Sequence, residues 1–219
     1  MSENKRAIAY IDGFNLYSGL MAKGWGSYRW LDIGKLAEVL CPSGYDVELI
    51  RYFTTRIKGN HPKHQRQQVY LNALQSFLYP KYRCMFGRFQ LFPSRCKNCG
   101  EKPLKCHNCG QKYIKPNEKK TDVNIATSML VDCIEDNTDA IILISGDSDF
   151  ETPLNEINRL FPSIYRMIAF PPKRQNPRLF GFCNKHTKIN INHFRSVGLL
   201  PDPVVNPNTG KKYSKPASW

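Results

Sequence analysis

Two apolar runs of this 219-residue chain end in aspartates, and those aspartates are the residues best placed to do chemistry. Ala7-Ile-Ala-Tyr-Ile11 runs into Asp12-Gly13, and the run 140–145 leads into Gly146-Asp147-Ser148-Asp149. Each run reads as a buried strand closed by a tight turn. In an open parallel sheet the ligand crevice lies beyond the carboxyl ends of the strands, so both clusters are expected on one edge. Asp147 and Asp149 are two residues apart and would point the same way in extended backbone. Asp122 is a further candidate, in the first turn of a helix whose N-cap would be Thr121, just after Lys119-Lys120.

Any one of these aspartates has a structural explanation. A carboxylate in a first helical turn stabilises the helix dipole by about 0.3–1 kcal/mol, and Asp-Gly and Asp-Ser are ordinary turn pairs. Together they ask for more. Carboxylates converging on one edge repel each other unless a positive charge sits between them. Mg²⁺ or Mn²⁺ supplies that charge and prefers oxygen ligands. A carboxylate-held metal pair can activate water and stabilise the leaving oxygen of a phosphodiester.

A second constellation is made of sulfur. Cys96-x-x-Cys99 and Cys106-x-x-Cys109 are two knuckles separated by a short loop. Four thiolates at this spacing close a tetrahedral zinc site with no open position for water, so the expected role of Zn²⁺ is structural. Gly100 and Gly110 follow each pair and suit the tight turn of a knuckle. From Arg95 to Lys120 there are eight Lys or Arg against two Glu, so the knuckle could also grip a phosphate backbone. The other four cysteines, Cys41, Cys84, Cys133 and Cys183, show no ligand spacing and read as small core residues.

The bulk properties suit a polyanionic partner. Formal net charge is +14, which favours nucleic acid. Hydrophobic residues at 41% and aromatics at 12% describe a globular chain. The run 7–11 is too short for a signal-peptide core or a membrane span, so the expected location is the cytoplasm, with no membrane partner. The chain would form one domain over 1–200, with a zinc-binding insert at 94–115. The remainder, 201–219, is rich in Pro, Asn, Lys and Ser and reads as a loose tail.

The elements that must position these residues alternate. A second strand is expected over 46–57 and a helix from Pro62 to about residue 78. A third strand spans 83–92. A helix over 121–135 carries a stripe of Val123, Ala126, Met129, Leu130, Cys133 and Ile134. A helix over 152–160 and a strand over 163–170 follow. Alternating strands and helices, with strands apolar throughout, predict an α/β fold with a mostly parallel central sheet flanked by helices. His61, Lys63, His64 and Arg66 would stand near the start of the 62–78 helix, where phosphate can bind. His186 and His193 read as surface or core histidines.

At Ile11-Asp-Gly-Phe-Asn-Leu-Tyr17, Glu118-Lys-Lys-Thr-Asp-Val123 and Leu143-Ile-Ser-Gly-Asp-Ser-Asp-Phe150 the sequence resembles the NYN family, a branch of the PIN-like nucleases. The resemblance runs from about residue 7 to 201. It implies a Rossmann-like PIN fold and a metal-dependent ribonuclease-type site. Carried over, Asp12, Asp122, Asp147 and Asp149 would be Mg²⁺ or Mn²⁺ ligands. Asn15 would orient Asp12 or contact phosphate, and Ser145 would shape the turn beneath the site. Lys119 could contact phosphate; Lys120, Lys173 and Arg174 are basic residues expected on the same edge. The chain departs from the family at Lys120-Thr121, where Gly followed by Val is more usual. A preference for RNA over DNA rests on the family alone. Two other readings stay open: a catalytically silent nucleic-acid-binding module, and a scaffold whose zinc knuckle binds protein.

Overall fold

A computed structural model describes residues 4–57, 62–93, 104–105, 110 and 113–219. Among these, six strands form one parallel sheet in the order β3-β2-β1-β6-β7-β8. In chain order they are β1 (Lys5–Asp12), β2 (Tyr45–Thr54), β3 (Tyr82–Phe86), β6 (Ala140–Ile144), β7 (Tyr165–Phe170) and β8 (Lys185–Lys188). The chain builds outward from β1 in one direction and then from β6 in the other. The reversal puts a topological switch point between β1 and β6, where Ile11 lies beside Ile144. The expected α/β architecture is the one found.

Helices cover both faces of the sheet. One face carries α1 (Gly13–Ala22), α2 (Ile33–Leu40), α3 (Pro62–Phe77) and α6 (Ile191–Val197). The other carries α4 (Thr121–Ile134) and α5 (Glu151–Leu160). Strand alternation feeds the two cores. Ala7, Ala9 and Ile11 enter the first, while Ile8 and Tyr10 enter the second. β6 is buried at every position because both its faces are covered. Complete burial of each such Ile or Leu contributes roughly 1.5–3 kcal/mol.

Three expectations need correction. The strand expected over 83–92 is two strands. β3 ends at Phe86, and β4 (Arg88–Pro93) leaves the sheet to pair antiparallel with β5 (Ile114–Lys119). The break is at Gly87, where a side chain would meet Thr121 Oγ1, the Lys119 carbonyl and Thr55 Oγ1. The segment 201–219 is not loose. It forms the β9 (Val204–Val205) and β10 (Lys212–Tyr213) hairpin, with Val204 buried. Trp219 packs edge-on against Tyr70 and Trp30, and Arg29 bonds the Ser218 carbonyl at 2.9 Å. A few large side chains anchor it despite its polar composition.

The third correction concerns the start of α4. Thr121 is its first helical residue and is buried, with its hydroxyl 3.5 Å from that of Thr55. The N-cap is Lys120, held left-handed at φ 75 with no side-chain cap bond. That is the position where the family more usually has Gly, and a left-handed lysine costs about 1–2 kcal/mol.

The paired ends of β4 and β5, Pro93 beside Ile114, bracket the stretch that holds the four clustered cysteines. Cys96, Cys99, Cys106 and Cys109 themselves lie outside the described residues, as does His61. The remaining cysteines are free thiols, with Cys133 buried and Cys41, Cys84 and Cys183 half-buried. Among the described residues no helix is long and apolar enough to cross a membrane.

Candidate active site at the sheet switch point

β1 delivers Asp12 to the switch point and α1 begins there. Asp12 is 4% exposed and serves as the helix N-cap, its Oδ1 accepting the Asn15 N–H at 2.9 Å. Its Oδ2 accepts the Ser145 hydroxyl at 2.9 Å. Ser145 directly follows β6, fully buried, and its oxygen also accepts the Asp147 N–H at 3.2 Å. One serine therefore ties the Asp12 carboxylate to the turn that carries Asp147.

That turn is braced twice more. The Asn15 side-chain oxygen accepts the Gly146 N–H at 3.3 Å. Gly146 lies so close to the Arg174 carbonyl that no side chain fits there. Arg174 then reaches back with its guanidinium to Ser18 on α1, at 3.0 Å. Asn15 thus bonds Asp12 through its backbone and holds the Gly146 turn through its amide.

The aspartates do not share one backbone conformation. Asp147 caps a short 3-10 turn over Ser148–Phe150, accepting the Asp149 N–H at 3.1 Å. The pair is therefore not extended as expected: Asp147 is extended, but the turn begins at Ser148 and takes Asp149 with it. Asp147 is half-buried and Asp149 exposed. Asp122 is half-buried in the first turn of α4, which packs on β1, β2 and the Ser148–Phe150 turn. Among the described residues, no three His, Cys, Asp or Glu side chains are gathered as a metal site. The donor set at this edge is nevertheless all oxygen, the chemistry a hard cation requires.

The expected basic residues frame the same edge. Lys119 ends β5 beside Arg88, and Lys119 and Lys120 are exposed. Lys173, at φ 58, and Arg174 follow β7, both exposed. Lys63, His64 and Arg66 occupy the first turns of α3, where the His64 ring bonds the Ile57 carbonyl. His186 stacks on Phe180 with ring centroids 3.9 Å apart, and His193 completes the capping box of α6. The sequence does not single out Arg56, which follows β2 and whose guanidinium lies 4.2 Å from the ring centroid of Phe86 at the end of β3. The signal was the density of Arg and Phe across residues 51–92.

Lys120 allows its two roles to be separated. Lys120→Gly is expected to relieve the left-handed strain, leaving the unfolding free energy unchanged or up to about 1 kcal/mol higher. If its ammonium meets phosphate, the same substitution weakens nucleic-acid binding and lowers the salt dependence by close to one released counterion. Urea unfolding beside a salt titration of binding checks both halves. Stability lost, or an unchanged salt slope, would contradict the assignment.

A six-stranded parallel sheet flanked by helices, with Asp12 and Asp147 at its switch point, is consistent with a PIN-like fold. The NYN domain matches residues 6–190, and the chain belongs to that family. Family membership places it among nucleases, hydrolases that act on nucleic acid. The chain is also 25% identical to a 6-hydroxy-3-succinoylpyridine 3-monooxygenase of Pseudomonas putida, across 100% of this chain and 76% of that one. That activity is the relative's own. A crystal structure of a protein of unknown function from Vibrio parahaemolyticus shares the fold, with a TM-score of 0.53 and 17% identity over 87% of this chain and 96% of the other.

Proposed function

We propose that the protein is a metal-dependent nuclease that cuts RNA internally, by hydrolysis at the edge bearing Asp12 and Asp147. The observation that carries the reading is the hydrogen-bonded link from Asp12 through Ser145 to Asp147 at the sheet switch point. It ties the Asp12 carboxylate to the backbone of the turn that carries Asp147, within a chain of net charge +14.

In this reading Asp12, Asp122, Asp147 and Asp149 would hold Mg²⁺ or Mn²⁺. The bound metal would supply an activated water and neutralise charge on the leaving oxygen. The protein does the positioning. Ser145 and Asn15 each bond both Asp12 and the Gly146–Asp147 turn, so little reorganisation would remain when substrate arrives. Lys119, Lys120, Lys173 and Arg174 hold the phosphates on either side of the scissile bond. In-line attack at phosphorus leaves a 5′-phosphate and a 3′-hydroxyl. Zn²⁺ bound by Cys96, Cys99, Cys106 and Cys109 would close the insert between β4 and β5 as a structural staple.

The test is cleavage of end-labelled single-stranded RNA, single-stranded DNA and both duplexes, with Mn²⁺, Mg²⁺ or EDTA. The Asp147→Asn variant is purified and assayed in parallel. Metal-dependent cutting of RNA that the variant loses supports the proposal. Cutting of DNA alone corrects the polymer. Binding without cutting, the same in both proteins, replaces the nuclease with a binding module.

A further inference from the structure

α1 leaves the carboxylate edge carrying an exposed stripe with no partner among the described residues. Phe14, Tyr17 and Met21 are 54%, 45% and 41% exposed. They recur at i, i+3 and i+7 and so lie along one side of the helix. The buried side is Gly13, Leu16, Gly19 and Leu20. Gly19 admits the Pro172 carbonyl and the rings of Pro171 and Pro172, which seats the loop leading to Lys173 and Arg174 against the helix. Isolated exposed apolar residues need no explanation. Two aromatics in line, starting two residues after Asp12, form a patch continuous with the site.

The surroundings of the stripe select its occupant. The helix itself bears no charge, and cations stand around it. Arg174 is bonded to Ser18, Lys173 adjoins it, and Lys23 lies beyond the helix end with its ammonium 5.9 Å from the Trp25 ring centroid. Aromatic faces set among cations suit a polyanion whose apolar parts are flat rings. In a duplex those rings are already stacked and paired. In an unpaired strand they are free to stack on side chains.

We propose that Phe14 and Tyr17 form a base-stacking platform, so that the site takes an unpaired strand laid along α1 with its phosphates toward Lys173 and Arg174. This inference rests on the reading of the Asp12 edge as a site for nucleic acid.

The experiment measures binding of the full chain by fluorescence anisotropy, in EDTA so that no cleavage intervenes. The probes are a short labelled oligoribonucleotide without secondary structure and the same sequence as a blunt duplex. Phe14→Ala with Tyr17→Ala is expected to weaken single-strand binding by about tenfold per ring, roughly a hundredfold together, and to leave duplex binding within about twofold. The ring-retaining pair Phe14→Tyr with Tyr17→Phe should bind like the wild type. Equal loss on both probes, or no loss on the single strand, overturns the platform. So does sedimentation showing that the alanine pair only dissolves a dimer, which would make the stripe an interface between copies. A protein that binds unpaired strands through these rings yet never cuts refutes the nuclease and leaves the platform standing. One that cuts, with single-strand affinity unchanged in the alanine pair, does the reverse.

Discussion

Asp12→Asn is expected to lower the rate of metal-dependent cleavage by on the order of 10³-fold while the protein remains folded. The two halves of that expectation have separate causes. Asparagine caps a helix about as well as aspartate, so its amide oxygen can still accept the Asn15 N–H that Asp12 accepts at 2.9 Å. Its amide nitrogen then faces the Ser145 hydroxyl, which donates to Asp12 in the wild type. A hydroxyl can turn and accept instead, although Ser145 already accepts from the Asp147 N–H. The structural cost should stay near 1 kcal/mol. The charge has no such substitute. A neutral amide binds a hard cation weakly, and stabilisation of several kcal/mol at the transition state disappears with it. Ser145→Ala offers a graded comparison. It keeps both charges and loosens their relation, for which a 10–100-fold loss is expected. Single-turnover cleavage across a Mn²⁺ titration reads both variants. An Asp12→Asn protein that cuts within tenfold of the wild type would remove Asp12 from the metal site.

The sequence exposes the carboxylates because strand ends are visible in it. Apolar runs at 7–11 and 140–145 can only be buried strands, and the residues that close them must reach one edge of a parallel sheet. The connections between the carboxylates are hidden, because they depend on register. Ser145 meets Asp12 only because β6 lies beside β1 with Ile144 opposite Ile11. Arg174 meets Ser18 only because a loop after the fifth strand of the sheet seats on Gly19.

Local pattern misled where a single tertiary contact outweighed it. Residues 83–92 look like one strand, and the bend at Gly87 appears only when Thr121 and Thr55 are seen packed against it. α1 shows no clean apolar stripe because Phe14, Tyr17 and Met21 face outward while two glycines share its buried side with Leu16 and Leu20. Composition likewise suggested a loose tail over 201–219, yet Trp219 packs edge-on against Trp30 and Tyr70. One aromatic outweighed a polar neighbourhood.

The largest effect on stability should come from Asp132→Asn, at about 3–5 kcal/mol. Asp132 lies on α4, fully buried, in the apolar stripe that packs on the sheet. Arg51 of β2 grips its carboxylate with two bonds, Nε at 2.7 Å and Nη2 at 2.5 Å. Tyr10 of β1 adds a third at 2.6 Å. These bonds pin α4 across two strands and so fix where its first turn, with Asp122, meets the active edge. The amide would turn N–H donors toward a guanidinium that has only donors, leaving a largely buried cation without its anion. The cost comes from the stranded charge more than from the lost contact. Asp132→Leu combined with Arg51→Met and Tyr10→Phe, which strands neither the cation nor the buried hydroxyl, should therefore recover most of the stability. Tyr10→Phe, which removes one donor and strands nothing, should cost only about 1–1.5 kcal/mol. Urea midpoints at constant m-value measure all three; a loss below about 1 kcal/mol for Asp132→Asn would contradict the argument. The same cluster sets an alkaline limit. Burial, reinforced by the Asp132 charge, pushes the Tyr10 hydroxyl well above the ordinary tyrosine range. The folded protein keeps that proton after the unfolded chain has lost it. This contribution is complete below about pH 10 and declines above it by about 1.4 kcal/mol per pH unit. Tyr10→Phe should remove that part of the alkaline slope while leaving the slope below pH 10 unchanged.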